Sequence, residues 1–435
     1  MKRHLEEYVV DILGFSRIGH QPTRDCAAFT PAQWERCLTW MDDMGLALYF
    51  FRAVEPRAEL VPEFVTQRLQ RRQSANEYRM RCMQRQFGII NRQFETAGVK
   101  YIAVKGLTLV PEFCPDASLR HQSDFDFLMD QSSLQSARQL LEEMGYVLYK
   151  TFDHELIFVL PSNEKPKRGE AQYDASAPHS VELHLTMGDF PCLAWKEPSF
   201  LENAVVRVSG GSTFHGLTDD DSFLLQAVHI FHHVLDGWMK LSWLYEIGHF
   251  LETRTTDSDL WKRISGKLAV DPLLREAVAV VASLASKFFQ ARIPVVIEGW
   301  IRGIRPAVLV WIENYARIWA FGPNRIDEFD WFPTNKLVLF LHRQYIPDNR
   351  DWRALLTTRL LALKGLKRMK HSMSAKQSSG GRKRIWISAR ALRRVAFHLG
   401  SGIRYFWEMP KWWHLTRSFQ PGGNAFEHDE CSPVA

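Results

Sequence analysis

Residues 101–129, YIAVKGLTLVPEFCPDASLRHQSDFDFLM, decide how the rest of the chain is read. Tyr101–Val104 is a short apolar strand that stops at Lys105-Gly106. A second strand spans Asp124–Met129. Side chains alternate across a strand, so Asp124 and Asp126 share one face while Phe125, Phe127 and Met129 share the other. Two carboxylates on one face repel each other unless a cation lies between them, and an all-oxygen site suits a hard divalent ion such as Mg²⁺. A third carboxylate follows the same logic in Ser180–Thr186. There Val181, Leu183 and Leu185 point to a core, and Glu182, His184 and Thr186 point away.

Upstream of this stretch, Thr30-Pro31 is a helix start, with threonine at the N-cap and proline at the first helical position. It predicts one helix over 31–54. A longer helix is predicted over 62–96, with Phe64, Val65, Leu69, Met80, Met83, Phe87, Ile90 and Phe94 as its apolar stripe. Its other face carries Arg68, Arg71, Arg72, Arg79, Arg81 and Arg85, which read as a solvated face or as a surface for an anionic substrate. Downstream, Ser132 or Ser133 caps a helix that ends at Met144-Gly145. Strands are expected over 146–150 and 155–160. Residues 161–179 lack periodicity and are expected to form a mobile polar loop near the mouth of the site. The apolar helical stretch Ser222–Glu252 breaks at Asp236-Gly237, and helices continue over 258–321 and 333–366. A Ser/Gly/Lys linker over 371–384 leads to a basic, tryptophan-bearing helix, and the last 16 or so residues read as disordered.

The chain has 435 residues, enough for two or three domains, and its 46% hydrophobic and 24% charged content is that of an ordinary globular protein. Cys26, Cys37, Cys82, Cys114, Cys192 and Cys431 show no metal-binding spacing and read as reduced thiols. The N-terminus carries acids within its apolar part and does not resemble a secretory signal. No apolar run approaches the roughly 18 residues that span a bilayer. These features predict a cytoplasmic protein. Between Arg359 and Arg417 there are 15 Lys/Arg and one acid, Glu408, which gives +14; the remainder must carry −8 to reach the overall +6. The basic character belongs to the C-terminal segment, which reads as a contact for nucleic acid or anionic lipid, or as the solvated face of a packed helix.

The ordered set VKGLTL, LRHQSDFDFLM and VELHLTM resembles the polymerase-beta-type nucleotidyltransferase superfamily, and is similar to a bacterial branch known simply as the nucleotidyltransferase family. The resemblance covers roughly residues 30–250 and is strongest from Lys105 to His184. It implies an α+β fold: a small α/β core with a mixed sheet over 98–215, an N-terminal helical region over 1–97 and an all-helical domain over 216–370. The basic segment 371–435 follows. The implied activity is transfer of an NMP group from an NTP to an acceptor, with release of pyrophosphate. Asp124, Asp126 and Glu182 would then hold two Mg²⁺ ions, with Glu182 on the acceptor side and His184 as an accessory residue. Lys105 and Gly106 would hold the terminal phosphates, and Arg120 and Ser123 would contact the triphosphate. The Lys-Gly pair departs from the Gly-Ser turn common in the wider superfamily. The acceptor, chosen by the helical domain, would be a sugar, a small metabolite, a protein or RNA.

Other readings of the same residues are a non-catalytic nucleotide-sensing or scaffold protein acting through the basic segment, and a metal-dependent phosphoesterase. His229, His232 and His233 on one predicted helix have a spacing that permits a zinc pair, but no third ligand is evident, and packing or contact with substrate is the expected role. With Asp124 and Asp126 treated as equivalent, Asp124→Asn and Asp126→Asn should each relieve repulsion and leave the metal-free fold as stable or more so.

Overall fold

A computed structural model of the protein describes residues 4–17, 29–161, 169–187, 200–237, 239–321, 336–361 and 381–419; for 17, 58, 361 and 381–395 only the backbone is described. The helices preceding the sheet are α1 (Leu5–Ile12), α2 (Pro31–Met44), α3 (Ala47–Val54) and α4 (Glu63–Thr96). Thr30 closes a capping box with Gln33, as the Thr30-Pro31 signal requires. The predicted helix 31–54 is split because Gly45, at φ 70°, terminates α2 in the left-handed conformation.

The sheet comprises β1 (Tyr101–Val104), β2 (Asp124–Met129), β3 (Val147–Phe152), β4 (Glu155–Val159) and β5 (Ser180–His184), with α5 (Gln131–Glu143) between β2 and β3. Asp130, rather than Ser132 or Ser133, caps α5 by accepting from the Ser133 N–H. Strand order is β1-β2-β5-β4-β3, and only the β2–β5 pair is parallel. On one face Phe125, Phe127, Met129, Val181, Leu183 and Phe158 pack against the Met80–Phe94 stripe of α4 and Ala137 and Leu141 of α5. Burial of this many large apolar side chains is the dominant stabilising contribution. At one end of the opposite face Ile102, Val104 and Leu128 meet Phe200, Leu217 and Leu225. The same face carries the carboxylates, with Ile157 and Val159 of β4 beside Glu182 and Ser180.

A separate hairpin, β6 (Val205–Ser209) and β7 (Ser212–Gly216), turns through Gly210-Gly211, both at positive φ. Helices α6 (Asp219–Asp236), α7 (Leu241–Arg254), α8 (Ser258–Leu268) and α9 (Pro272–Phe289) follow, and Gly237 at φ 81° produces the expected break after Asp236. These elements form one compact unit, residues 1–298, and residues 299–435 form another. The boundary falls in α10 (Val295–Arg302). The second unit holds α11 (Pro306–Asn314), α12 (Ala316–Phe321), α13 (Val338–Tyr345), α14 (Asn349–Leu361) and α15 (Gly381–Ser418). Part of the linker expected over 371–384 is therefore the start of α15, and 371–380 and the last 16 residues lie outside the described residues. No helix among the described residues is long and apolar enough to cross a membrane.

Candidate active site

The parallel register of β2 and β5 sets Asp126 beside Glu182 and Asp124 beside Ser180, so the alternation read from each strand brings these groups onto one face. The next pair along, Leu128 and His184, turns the imidazole back toward the acids. One ligand atom each from Asp126, Glu182 and His184 lies within 4.8 Å of the other two, and no other such group of His, Cys, Asp or Glu occurs among the described residues. His184 Nε2 is 3.0 Å from Asp126 Oδ1 and 3.8 Å from Glu182 Oε2. Glu155, opposite His184 in the β4–β5 ladder, approaches its Nδ1 at 3.7 Å. The Ser180 hydroxyl donates to Glu182. Asp124 shares the face but stands outside this converging group.

The Lys105-Gly106 turn closes the site from the β1 side. Lys105 sits at φ 55° and ψ −164°, a conformation that costs a side-chain-bearing residue roughly 1–3 kcal/mol and persists only when its surroundings impose it. Its carbonyl accepts from Thr108 Oγ1 at 2.7 Å and from the Thr108 N–H at 3.0 Å, and its ammonium donates to Asp126 Oδ1 at 2.9 Å. Gly106, at φ 49°, is pressed on Gln122; a Cβ there would meet the Gln122 amide nitrogen at 2.3 Å. That amide donates to the Asp124 carbonyl, which ties the turn to the start of β2. The turn leads into a single 3₁₀ turn, Gly106–Leu109, too short to act as a helix N-terminus.

Burial governs the electrostatics of the three acids. It pushes the Glu182 carboxyl up to about 9, with Asp126, Asp124 and Glu155 adding repulsion. It also raises Asp124, and the neighbouring Asp126 raises it further, against the pull of Lys105, Arg120 and Lys240. Burial works on Asp126 in the same sense, but the Lys105 ammonium and the His184 hydrogen bond outweigh it and hold Asp126 below the usual carboxylate range. The site thus contains one acid satisfied by a lysine and two, Glu182 and Asp124, that burial and the neighbouring acids push upward. Two carboxylate oxygens and an imidazole nitrogen at this separation fit a divalent cation, whose charge would favour ionisation of Glu182.

The polar face of α4 has neither of the roles expected from sequence for its two buried arginines. The Arg79 guanidinium donates to the carbonyls of Gln122, Asp174 and Ala177, and Asn76 donates to those of Ser118 and Arg120. Arg72 makes a two-pronged ion pair with Asp42, whose carboxylate also accepts from the Tyr173 hydroxyl. Glu170 completes the group at 3.1 Å from Arg72. These contacts fasten residues 169–179, so the described part of the polar loop is packed rather than mobile; 162–168 lie outside the described residues.

Arg120 extends toward the helical part of the unit, where its Nε donates to Glu246 of α7 at 3.0 Å, and the Tyr49 hydroxyl donates to the same oxygen. Lys240, just before α7, feels both Asp124 and Arg120. Ser123 is exposed, with its hydroxyl 3.4 Å from an Asp124 oxygen. His229 and His233 lie with ring centroids 4.4 Å apart and 5.4 and 4.9 Å from Trp243, and neither joins the converging ligand group. Burial, the other histidine and the Lys105 charge hold His229 neutral. Sequence reading missed Glu155, Glu246 and Lys240. Glu155 opens a strand whose alternation could have placed it on the acidic face. Glu246 and Lys240 left no such signal, because only the fold brings α7 to Arg120.

The α+β architecture expected from sequence, a mixed sheet flanked by helices, is the one observed. No curated protein matches the chain. Among solved structures, an antigenic nucleotidyltransferase-like protein from Paracoccidioides brasiliensis aligns at 12% identity over 47% of this chain and 91% of its own, with a TM-score of 0.26. The profile of a family described as "Uncharacterised nucleotidyltransferase" matches residues 30–290, which span the sheet, the Lys105 turn, the acidic face and α6–α9. The match takes in more than half of the 435 residues, and the chain belongs to this nucleotidyltransferase family.

Proposed function

We propose that the acidic face transfers an NMP group from an NTP to an acceptor hydroxyl, with release of pyrophosphate. The observation that carries this reading is the convergence of Asp126, Glu182 and His184 beside Asp124, with Glu182 pushed up to about 9. A carboxyl pushed up by burial and by neighbouring acids is poised to ionise when a cation arrives. Asp126 and Glu182 would hold Mg²⁺, with His184 beside them and Asp124 available for a second ion. When bound, Mg²⁺ neutralises phosphate charge and acidifies the acceptor hydroxyl. Glu182, on the acceptor side, accepts the acceptor's proton. Lys105, relieved of Asp126, has its ammonium free for a terminal phosphate, and Arg120 and Ser123 stand at the Asp124 end for the rest of the triphosphate. Gly106 keeps the turn low enough for phosphate oxygens to approach the backbone. The reading places the protein in the cytoplasm, with NTP as its small-molecule partner.

One observation favours a second reading. The Lys105 ammonium already satisfies Asp126, as a resident charge would in a non-catalytic nucleotide sensor or scaffold. Incubation with NTP labelled at the α- or γ-phosphate, with Mg²⁺ or Mn²⁺ and pooled small-molecule and RNA acceptors, separates the two. Transfer predicts α-label on an acceptor and free pyrophosphate, lost in Asp124→Asn and Asp126→Asn. Glu182→Gln should keep NTP affinity within a few-fold while turnover falls by two or more decades, about 2.7 kcal/mol or greater. Turnover at the wild-type rate in either aspartate variant would remove the acidic face from the chemistry, and nucleotide binding without any product would support the sensor.

A further inference from the structure

The described side chains of α15 divide sharply into two faces. On one, Tyr405 and Trp412 are buried and stack on Phe340 of α13, with ring centroids 4.7 and 4.8 Å apart, and Trp412 also lies edge-on to Tyr315. The Tyr315 hydroxyl donates to Glu408. Tyr405 and Trp412 are seven residues apart, two helical turns, so together they fix the rotation of the helix about its axis. The opposite face is therefore held outward, and it is apolar. Leu399, Ile403, Phe406, Trp407 and Trp413 are 62%, 68%, 55%, 82% and 55% exposed. At 3.6 residues per turn they fall within an arc of about 120°.

Cations border this stripe. Arg404 and Lys411 are exposed along one edge, and the Arg417 guanidinium lies 5.0 Å above the Trp413 ring. Glu408 is the one acid between Ala396 and Ser418; it is turned to the packed side and approached by Lys411 at 4.0 Å. An exposed apolar face of this size in water needs an occupant. A second copy of the same face would bring Arg404, Lys411 and Arg417 against their own like charges. Nucleic acid would need cations all along the surface to meet phosphates, whereas Leu399, Ile403, Phe406 and Trp407 form an exposed apolar stretch here, with Arg417 only at its C-terminal end. An anionic bilayer meets both chemistries at once, with acyl chains for Leu399, Ile403 and Phe406, the interfacial region for the two indoles, and headgroup phosphates for the bordering cations.

We propose that the Leu399, Ile403, Phe406, Trp407 and Trp413 face of α15 docks on the surface of a membrane rich in anionic phospholipid, with Arg404, Lys411 and Arg417 on the headgroups. This inference rests on the second unit alone and does not depend on the nucleotidyl-transfer reading. The test is co-sedimentation of the full chain with vesicles of phosphatidylcholine, with and without phosphatidylglycerol. Binding should require phosphatidylglycerol, fall with added salt, and weaken at least tenfold in an Ile403→Ser, Trp407→Ser variant. Both positions are mostly solvent-exposed, so the substitutions leave the packed face intact. Lipids brominated high on the acyl chains supply a readout on the unaltered protein: they should quench tryptophan emission, and Trp407→Phe should reduce that quenching. Failure to bind phosphatidylglycerol vesicles would overturn the proposal. So would binding indifferent to the Ile403→Ser, Trp407→Ser change, which would make the contact purely electrostatic. A lipid-free dimer abolished by that change would assign the face to a second copy of the chain and overturn it equally.

Discussion

Replacing Lys105 by methionine removes the ammonium while keeping a side chain of similar length at the strained turn. At the 2.9 Å separation of Nζ and Asp126 Oδ1, unit charges attract by about 6 kcal/mol at an effective dielectric of about 20. Much of that offsets the cost of burying the lysine, and removing one partner of a buried pair costs about 3–5 kcal/mol net. The lower end applies because Lys105 keeps 19% of its side-chain exposure and His184 donates to the same Asp126 oxygen. Metal-free Lys105→Met should therefore be less stable by about 3 kcal/mol in urea unfolding. Asp126→Asn should also lose stability, in contrast to the expectation from sequence, whereas Asp124→Asn should hold or gain it. The double variant Lys105→Met, Asp126→Asn should lose less than the sum of the single losses, with a coupling of about 1–3 kcal/mol. Added Mg²⁺ or Mn²⁺ should then stabilise Lys105→Met more than the wild type, because the ion no longer displaces an ammonium from Asp126. Additive losses, or equal metal stabilisation in both proteins, would refute the idea that Lys105 and a cation compete for this carboxylate.

Two further outcomes test the scaffold. Arg72→Met leaves Asp42 buried without its counter-charge, so stability should fall by about 3–5 kcal/mol and limited proteolysis should open the 169–179 segment; an unchanged cleavage pattern would show that the segment is held by other contacts. In the second unit, burial lowers the Lys336 ammonium to about 8, although it donates to the Leu360 carbonyl at 2.9 Å. A depressed lysine destabilises the folded form when protonated, so the penalty is full below pH 8 and fades as pH rises toward the ordinary lysine value of about 10.4. Lys336→Met should remove it, raising the unfolding temperature of that unit at pH 7 with a gain that shrinks by pH 10; a gain independent of pH would point to packing instead.

Where a feature depends on neighbours in sequence, it was legible. The alternation of Asp124–Met129 and Ser180–His184 places each acid on its face, the Thr30-Pro31 cap starts α2, and the apolar stripe of α4 finds the sheet. The hairpin at Val205–Gly216 left a local signal in Gly210-Gly211 that was overlooked. Arg72 and Arg79 could not be read locally, because an arginine on a helix face looks the same whether it meets water or distant carbonyls. Their acceptors, Asp42, Gln122, Asp174 and Ala177, lie between 30 and 98 residues away.

From sequence alone came the residue types of the site, the strands that carry them and the charge asymmetry of the C-terminal segment, all set by side-chain chemistry and the two-residue period of a strand. Tertiary structure decided which acids converge. The β2–β5 register sets Asp126 against Glu182, the last residue of β5 brings in His184, and β4 adds Glu155. It also decided that the Lys105 ammonium meets Asp126, and that α15 turns Tyr405 and Trp412 inward and Trp407 and Trp413 outward. The physical reason is common to all of these. Burial and Coulomb interactions depend on distance in space, and strand register and helix rotation are set by packing partners far away along the chain.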